Sequence, residues 1–356
     1  MPPDGRRAHP YFMRDMILRQ ASAVEQTLRA VRDTASALPD LAPDAPLYLI
    51  GQGTSFHAAL AAEPAADLWL GPRRRVRAIP SFDAVLYEDQ LDPGGLALVF
   101  TASGETAVTL RAQETLARRG VPQLLITHSP ASPSAERASQ VIATRESEEA
   151  SWTHTVSYVA AITAAWGIFE HWSPRRREIA PELDRTVAAA RGGVDREKEL
   201  RTVAEAILDR TQLLLLGSGA GYATVREAAL KLREAAGRFT AAVGVEEALH
   251  GPLPAVDDST AVIALALGSV ERDRAETALR AASIAGARVV LIARGDPAKD
   301  IPTVLLPPVP PVLSPIVDIV PFQWLAYWTG VLSGRNPDVM GLEIPRIRAA
   351  RSSFGI

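Results

Sequence analysis

Glu227, Lys231 and Glu234 fall at i, i+4 and i+7 within the stretch 226–253, the spacing of a single helical face. The same stretch closes on His250, followed at once by the break Gly251-Pro252. A carboxylate, an ammonium and an imidazole are the groups that move protons on a small polar substrate. Without context, Glu227 and Lys231 also read as a surface ion pair, and His250 as a turn residue. A second cluster lies at 101–106, where Thr101, Ser103 and Thr106 surround Gly104 ahead of a helical pattern. Free backbone N–H groups, hydroxyls and the positive end of a helix dipole make such a turn a cradle for a phosphate monoester. The plainer alternative is an ordinary helix start with Ser103 as its cap.

The surrounding elements must hold these groups in place. A leading amphipathic helix is expected over 11–38, with Met16, Ile17, Val24, Leu28 and Val31 on its apolar stripe. Short all-apolar runs follow at 47–50, 96–100 and 124–126, each feeding a turn and, after the first two, a helix. The same grammar returns at 212–216, 261–265 and 289–293, with a helix over 271–285. All-apolar strands alternating with helices predict an α/β protein whose parallel sheets are covered on both faces. The two halves read as diverged copies. Ser173-Pro174-Arg175-Arg176-Arg177 breaks the chain before a charged helix at 180–192, and Pro307-Pro308-Val309-Pro310-Pro311 ends the second copy. A bulky apolar helix is expected at about 316–332, and a polar, irregular tail from Ser333, with Asn336-Pro337 and Ile344-Pro345 as breakers.

Composition narrows the function classes. The chain has 356 residues, enough for two domains, and is 47% hydrophobic and 22% charged, as a globular protein is. A net charge of −3 leaves no broad basic surface for nucleic acid or an anionic membrane. The absence of cysteine removes thiolate nucleophiles, disulfides and thiolate zinc sites. No signal-peptide pattern and no run of about 20 apolar residues is present, so a cytoplasmic protein is expected. Neither a metal nor a cofactor is expected. Gly51-x-Gly53 and Gly217-x-Gly219 begin like dinucleotide fingerprints, but Phe56 and Tyr222 occupy the third glycine position. A phosphate on something small remains.

Gly51-Gln52-Gly53-Thr54-Ser55, Ser103-Gly104-Glu105-Thr106, the stretch 226–253 and Val320 to Tyr327, in this order, resemble the double sugar-isomerase (SIS) domain family. The greatest likeness is to the isomerase half of the glucosamine-6-phosphate synthases. It implies two similar three-layer α/β/α, flavodoxin-like domains, at 40–172 and 200–333. They are flanked by an N-terminal segment and helix (1–39), a linker and helix (173–199) and a tail (334–356). A glutaminase half is not expected, because residues 1–40 are too short for one.

Carried onto this chain, the resemblance implies that Thr54 and Ser55, with Ser103 and Thr106, hold the sugar phosphate, beside the Thr101 hydroxyl read from the turn itself, and that Ala150-Ser151 touches the substrate. Glu234 is then the base working between C1 and C2, and His250, contributed by the neighbouring subunit of a homodimer, assists ring opening. Glu227 and Lys231 support that helix. The family's glutamine in the phosphate turn is Ala102 here, and its C-terminal lysine has no counterpart, the alignable stretch ending in Arg351. The acidic run 146–149 and the neighbouring Trp152 and His154 also depart from the pattern. The expected activity is isomerisation or deamination of a hexose or hexosamine 6-phosphate. The alternatives are a non-catalytic sugar-phosphate sensor and a deglycase of a phosphorylated sugar–amine adduct.

Overall fold

The computed structural model describes residues 6–353. In chain order its elements are α1 (Phe12–Thr34), β1 (Leu47–Gly51), α2 (Thr54–Leu70), β2 (Val76–Pro80), α3 (Ser81–Leu86), β3 (Leu96–Phe100), α4 (Ala107–Arg118), β4 (Gln123–Thr127), β5 (Gln140–Ala143) and α5 (Val156–Trp172). Then follow α6 (Arg176–Val194), α7 (Glu197–Ala206), β6 (Gln212–Leu216), α8 (Ala220–Ala236), β7 (Phe239–Val243), α9 (Val245–His250), β8 (Thr260–Ala266), α10 (Ser269–Ile284), β9 (Arg288–Ala293), β10 (Thr303–Leu305), α11 (Pro315–Leu332) and α12 (Pro345–Ser352).

Two five-stranded parallel sheets result, in the orders β2-β1-β3-β4-β5 and β10-β9-β8-β6-β7. Each is the flavodoxin-like order, in which the chain leaves the first strand on one side and returns on the other. That reversal opens a crevice at the carboxyl ends of β1 and β3, and its counterpart at β6 and β8. The central strands β1, β3, β4 and β8 are buried along their whole length, as strands covered on both faces must be. One compact unit, built on Arg19–Glu149 and His154–Val187, carries the first sheet. The other is built on 188–348 with residues 6–18 and 150–153, and carries the second.

In the first unit, Tyr48, Ile50, Val99, Ala112, Leu116 and Leu125 pack one core cluster. Glu149 accepts the Thr155 and Ser157 N–H groups, at 2.7 and 2.8 Å, and the Ser157 hydroxyl at 2.8 Å. This carboxylate satisfies donors that the start of α5 leaves open. In the second unit, Leu216, Val262, Ala264, Leu279 and Leu291 belong to the core beside α10. Helix α11 is buried almost throughout, and a Cβ on Gly330 would lie 2.6 Å from the Ala235 carbonyl oxygen. Only glycine permits this close approach of α11 to the end of α8, the segment that carries Glu234.

The tail is more ordered than its composition suggests. Ile344-Pro345 does not break a helix; Pro345 opens α12, where its missing N–H costs nothing. Asp338 accepts the N–H groups of Phe12 and Met13, at 2.9 and 2.7 Å, capping α1 from far along the chain. No helix among the described residues is long and apolar enough to cross a membrane.

Candidate functional site

The first turn of interest leaves β1 through Gly51-Gln52-Gly53. A Cβ on Gly51 would lie 2.6 Å from the Ser55 carbonyl group, and Gly53 takes φ 57° and ψ −128°, a conformation open essentially to glycine. The chain thus turns tightly enough to place Thr54 and Ser55 on the opening turn of α2, at the positive end of its dipole. A small cavity, about 10 Å³ in volume, sits there, lined by Thr54, Ser55, Thr101, Ala102, Thr127 and His128, with Thr144, Ser157 and Tyr158 also on its wall. All of these lie in the first unit.

The hydroxyls are not equivalent. Thr101 Oγ1 accepts the Gly104 N–H at 3.2 Å, which leaves its proton to donate into the cavity. Thr127 donates to the Ala102 carbonyl at 2.8 Å, and Ser157 donates to Glu149, so both are engaged in the scaffold. Thr144 and Ser147 hydroxyls pair with each other at 2.6 Å. Thr54, Ser55 and Thr101 also line the cavity. Ser103 accepts the Glu105 N–H at 3.2 Å, and Thr106 is the residue before α4; neither lines the small cavity. The cap position of α4 belongs to Thr106 rather than Ser103, because the helix begins later than the plain reading of that turn supposed.

No lysine or arginine lines this cavity among the described residues. The single side chain there able to gain a positive charge is His128, whose Nδ1 lies 3.1 Å from Ser129 Oγ. Burial pushes its pKa below the ordinary histidine value, with Glu148 partly offsetting the shift. Sequence reasoning did not single out His128, Thr127 or Thr144. A usable signal existed: they end or follow β4 and β5, and open α/β sheets bind ligands at the carboxyl ends of their strands.

The residues expected from the sequence to move protons lie in the second unit. Helix α8 places Glu227, Lys231 and Glu234 on one face, and the Glu227–Lys231 pair is not on the surface. Lys231 is 1% exposed and Glu227 0%, with Nζ 3.4 Å from Glu227 and 2.5 Å from Glu234. Glu234 is 14% exposed, so this carboxylate stands at the edge of a buried ammonium. Gly237, in the left-handed conformation, ends α8 directly beyond it. His250 is the last residue of α9 and is 72% exposed, its Nε2 3.0 Å from Glu246. Glu246 is in turn held by Arg274 at 2.7 Å.

The remaining residues named from sequence sit as follows. Ser151 is buried; its hydroxyl accepts the Thr153 N–H at 3.1 Å, and the same hydroxyl holds the Asp338 carboxylate. Ala150 precedes it, and Arg351 lies on α12. In the acidic run, Glu149 caps α5 and Glu146 is bonded by the Ser22 hydroxyl. Among the described residues, no group of three or more His, Asp or Glu side chains is arranged to hold a metal ion.

Comparison with known proteins adds the following. The SIS domain pattern matches residues 41–167 and 206–333. The isomerizing glutamine–fructose-6-phosphate aminotransferase of Thermococcus kodakarensis is 26% identical over 346 residues, covering 94% of this chain and 57% of that enzyme. The chain thus spans little more than half the length of this curated relative. Among solved structures, the C-terminal domain of glucosamine-fructose-6-phosphate aminotransferase from Francisella tularensis matches with a TM-score of 0.80 at 20% identity, over 93% of this chain and 98% of that one. Glucosamine-6-phosphate deaminase from Thermotoga maritima matches with a TM-score of 0.73 at 19% identity, over 92% and 96% of the two chains. At these identities the structural likenesses are of fold.

Proposed function

The chain belongs to the SIS-domain family, and we propose that it is an enzyme which binds a hexose or hexosamine 6-phosphate in its first domain and moves a proton between C1 and C2 of the open-chain sugar. The observation that carries this reading is the hydroxyl-lined cavity at the β1/β3 crevice, with Thr54, Ser55 and Thr101 facing the start of α2. The turns 51–55 and 101–106 would hold the phosphoryl group through N–H groups, hydroxyls and the helix dipole. Ser103 and Thr106, on the second of these turns, would complete the grip once substrate is bound.

In the proposed reaction Glu234 takes the proton from C2 of the open-chain aldose, which leaves an enediolate, and returns it to C1 to give the ketose. On a 2-amino sugar the same proton shift yields an imine at C2. Water adds to that carbon and ammonia leaves, giving the ketose phosphate. His250 would assist ring opening by delivering a proton to the ring oxygen. Its exposure supports the further reading that it serves the site of a neighbouring copy in a homodimer. Lys231, buried against Glu227 and Glu234, holds the base in place rather than taking part in proton transfer. Two relatives, an aminotransferase that isomerises and a glucosamine-6-phosphate deaminase, lead us to favour an amino-sugar phosphate over a plain hexose phosphate.

The test is incubation in D₂O with a panel of hexose, hexosamine and N-substituted hexosamine 6-phosphates, following deuterium at C1 and C2 and ammonia release by NMR. Exchange that disappears in Glu234→Gln supports the enzyme. Binding without exchange for every sugar phosphate that binds would leave a sensor.

A further inference from the structure

The two sheets allow their turns to be matched residue by residue. Ile50 pairs with Val99 at the end of β1, and Leu216 pairs with Ala264 at the end of β6, each one residue before its glycine turn. Gly53 (φ 57°, ψ −128°) and Gly219 (φ 51°, ψ −130°) have nearly the same backbone conformation. Thr54, Ser55 and Thr101 therefore correspond to Ala220, Gly221 and Ala266, so the second crevice has lost all three hydroxyls. Ala102, on the wall of the first cavity, corresponds to Leu267, and Thr106 stands at the same offset as Glu271.

Glu271 does what a bound anion would do. Its two oxygens accept the Ser218 N–H at 3.0 Å and the Leu267 N–H at 2.8 Å, one from each turn. Space is not what is missing here. A cavity of about 580 Å³ opens over this carboxylate, lined by Ser218, Gly219, Ala220, Leu267, Glu271 and Arg274 among others. Arg274, the cation on its rim, is already paired with Glu246.

We propose that Glu271 is a resident anion that fills the second domain's counterpart of the phosphate cradle, so that each chain accepts one phosphoryl group, in the first domain. This rests on the reading of the first cavity as the phosphate site. One N–H donor from each turn, Ser218 and Leu267, is taken, and the ligand would meet a like charge about 4 Å away. Such a charge weakens anion binding by on the order of 10²–10³-fold at the effective dielectric of a protein surface. Burial raises the Glu271 pKa, while the Leu267 and Ser218 N–H groups act to keep it ionised.

The experiment counts inorganic phosphate per chain by calorimetry and ³¹P NMR in four proteins: wild type, Ser55→Ala/Thr101→Ala, Glu271→Thr, and the triple combination. Glu271→Thr gives the second turn the residue that the first has at Thr106. Expected are one phosphate for wild type and two for Glu271→Thr. The added site should survive in the triple variant, while Ser55→Ala/Thr101→Ala weakens the original site at least tenfold. Two phosphates on wild type, or a folded Glu271→Thr that binds only one, overturns the proposal. Should Glu271→Thr fail to fold, Glu271→Ala is read by the same criteria, and the wild-type count stands by itself. An undiminished site in Ser55→Ala/Thr101→Ala would instead refute the first-domain phosphate site, whatever Glu271→Thr does.

Discussion

Replacing Lys231 with methionine isolates what the buried ammonium contributes. Lys231 is 1% exposed, Glu227 0%, and Nζ stands within 3.4 Å of one carboxylate and 2.5 Å of the other. Methionine keeps most of the alkyl volume and adapts its shape, so packing is nearly conserved. The loss is then electrostatic: Glu227 is left in the interior of α8 without its cation. Breaking one side of a buried pair costs about 3–5 kcal/mol, because the remaining charge is uncompensated. For a protein of this size that corresponds to a fall in Tm on the order of 4–7 °C. Urea denaturation followed by circular dichroism measures the change. Glu227→Gln in the Lys231→Met background should restore at least 1 kcal/mol of it, a coupling readable from the double-mutant cycle. The freed Glu234 should also lose its fixed geometry, lowering turnover by about 10²-fold. A loss below about 1 kcal/mol, with no recovery in the double variant, would mean that the triad is solvated and that the argument from burial fails.

Thr101→Ala removes one hydroxyl donor to the proposed phosphate and should raise the Kd for a hexose 6-phosphate roughly 10-fold or more, as expected for a hydrogen bond to a charged group, with the fold unchanged by circular dichroism. His128 titrates below its ordinary value, so on acidification the unfolded chain binds its proton first. Its stabilising contribution is complete above the unfolded pKa near 6.5 and is lost as the pH falls through the window beneath it. His128→Asn should therefore flatten the decline of the urea midpoint on the acid side of about pH 6.5; identical slopes in both proteins would contradict a buried neutral imidazole. Gly330→Ala sets a methyl 2.6 Å from the Ala235 carbonyl oxygen and should cost about 1–3 kcal/mol in denaturant unfolding, while phosphate affinity stays at the wild-type value.

The six apolar runs legible in the sequence are β1, β3, β4, β6, β8 and β9, and these are the six interior strands of the two sheets. The four that escaped notice, β2, β5, β7 and β10, are the four edges. The reason is physical. An interior strand is covered on both faces and must be apolar along its length, whereas Val76-Arg77-Ala78-Ile79-Pro80 or Phe239-Thr240-Ala241-Ala242-Val243 need satisfy only one neighbour. Their pairing is set by the strand beside them, which local pattern does not contain. Helix α7 and the C-terminal α12 are short and were missed for a similar reason. The helical face of Glu227, Lys231 and Glu234 was legible from its period, but its burial was not. Period locates a face; burial depends on α11 lying against α8 through Gly330, a contact between segments far apart in sequence.

The internal duplication sharpens the assignment of roles. Matching Gly53 to Gly219 aligns α2 with α8 along their length, so Glu227, Lys231 and Glu234 correspond to Ala61, Ala65 and Leu68. Ala61 and Ala65 are buried, as Glu227 and Lys231 are, but carry nothing that can hold or move a proton. At the other end of the same two helices the chemistry is reversed: Thr54 and Ser55 open α2, and Ala220 and Gly221 open α8. One copy therefore has anion donors at the start of its helix and an inert interior. The other has an inert start, closed by Glu271, and an ion triad within. A duplicated fold needs neither difference for stability, since an alanine serves a buried helix face as well as a buried ion triad does, and better than an uncompensated one. The differences run in opposite directions at matched positions, as the proposed division of binding and proton transfer between the copies requires. Glu271 fits the same proposed division, because a copy that supplied the base would gain nothing from a second phosphate.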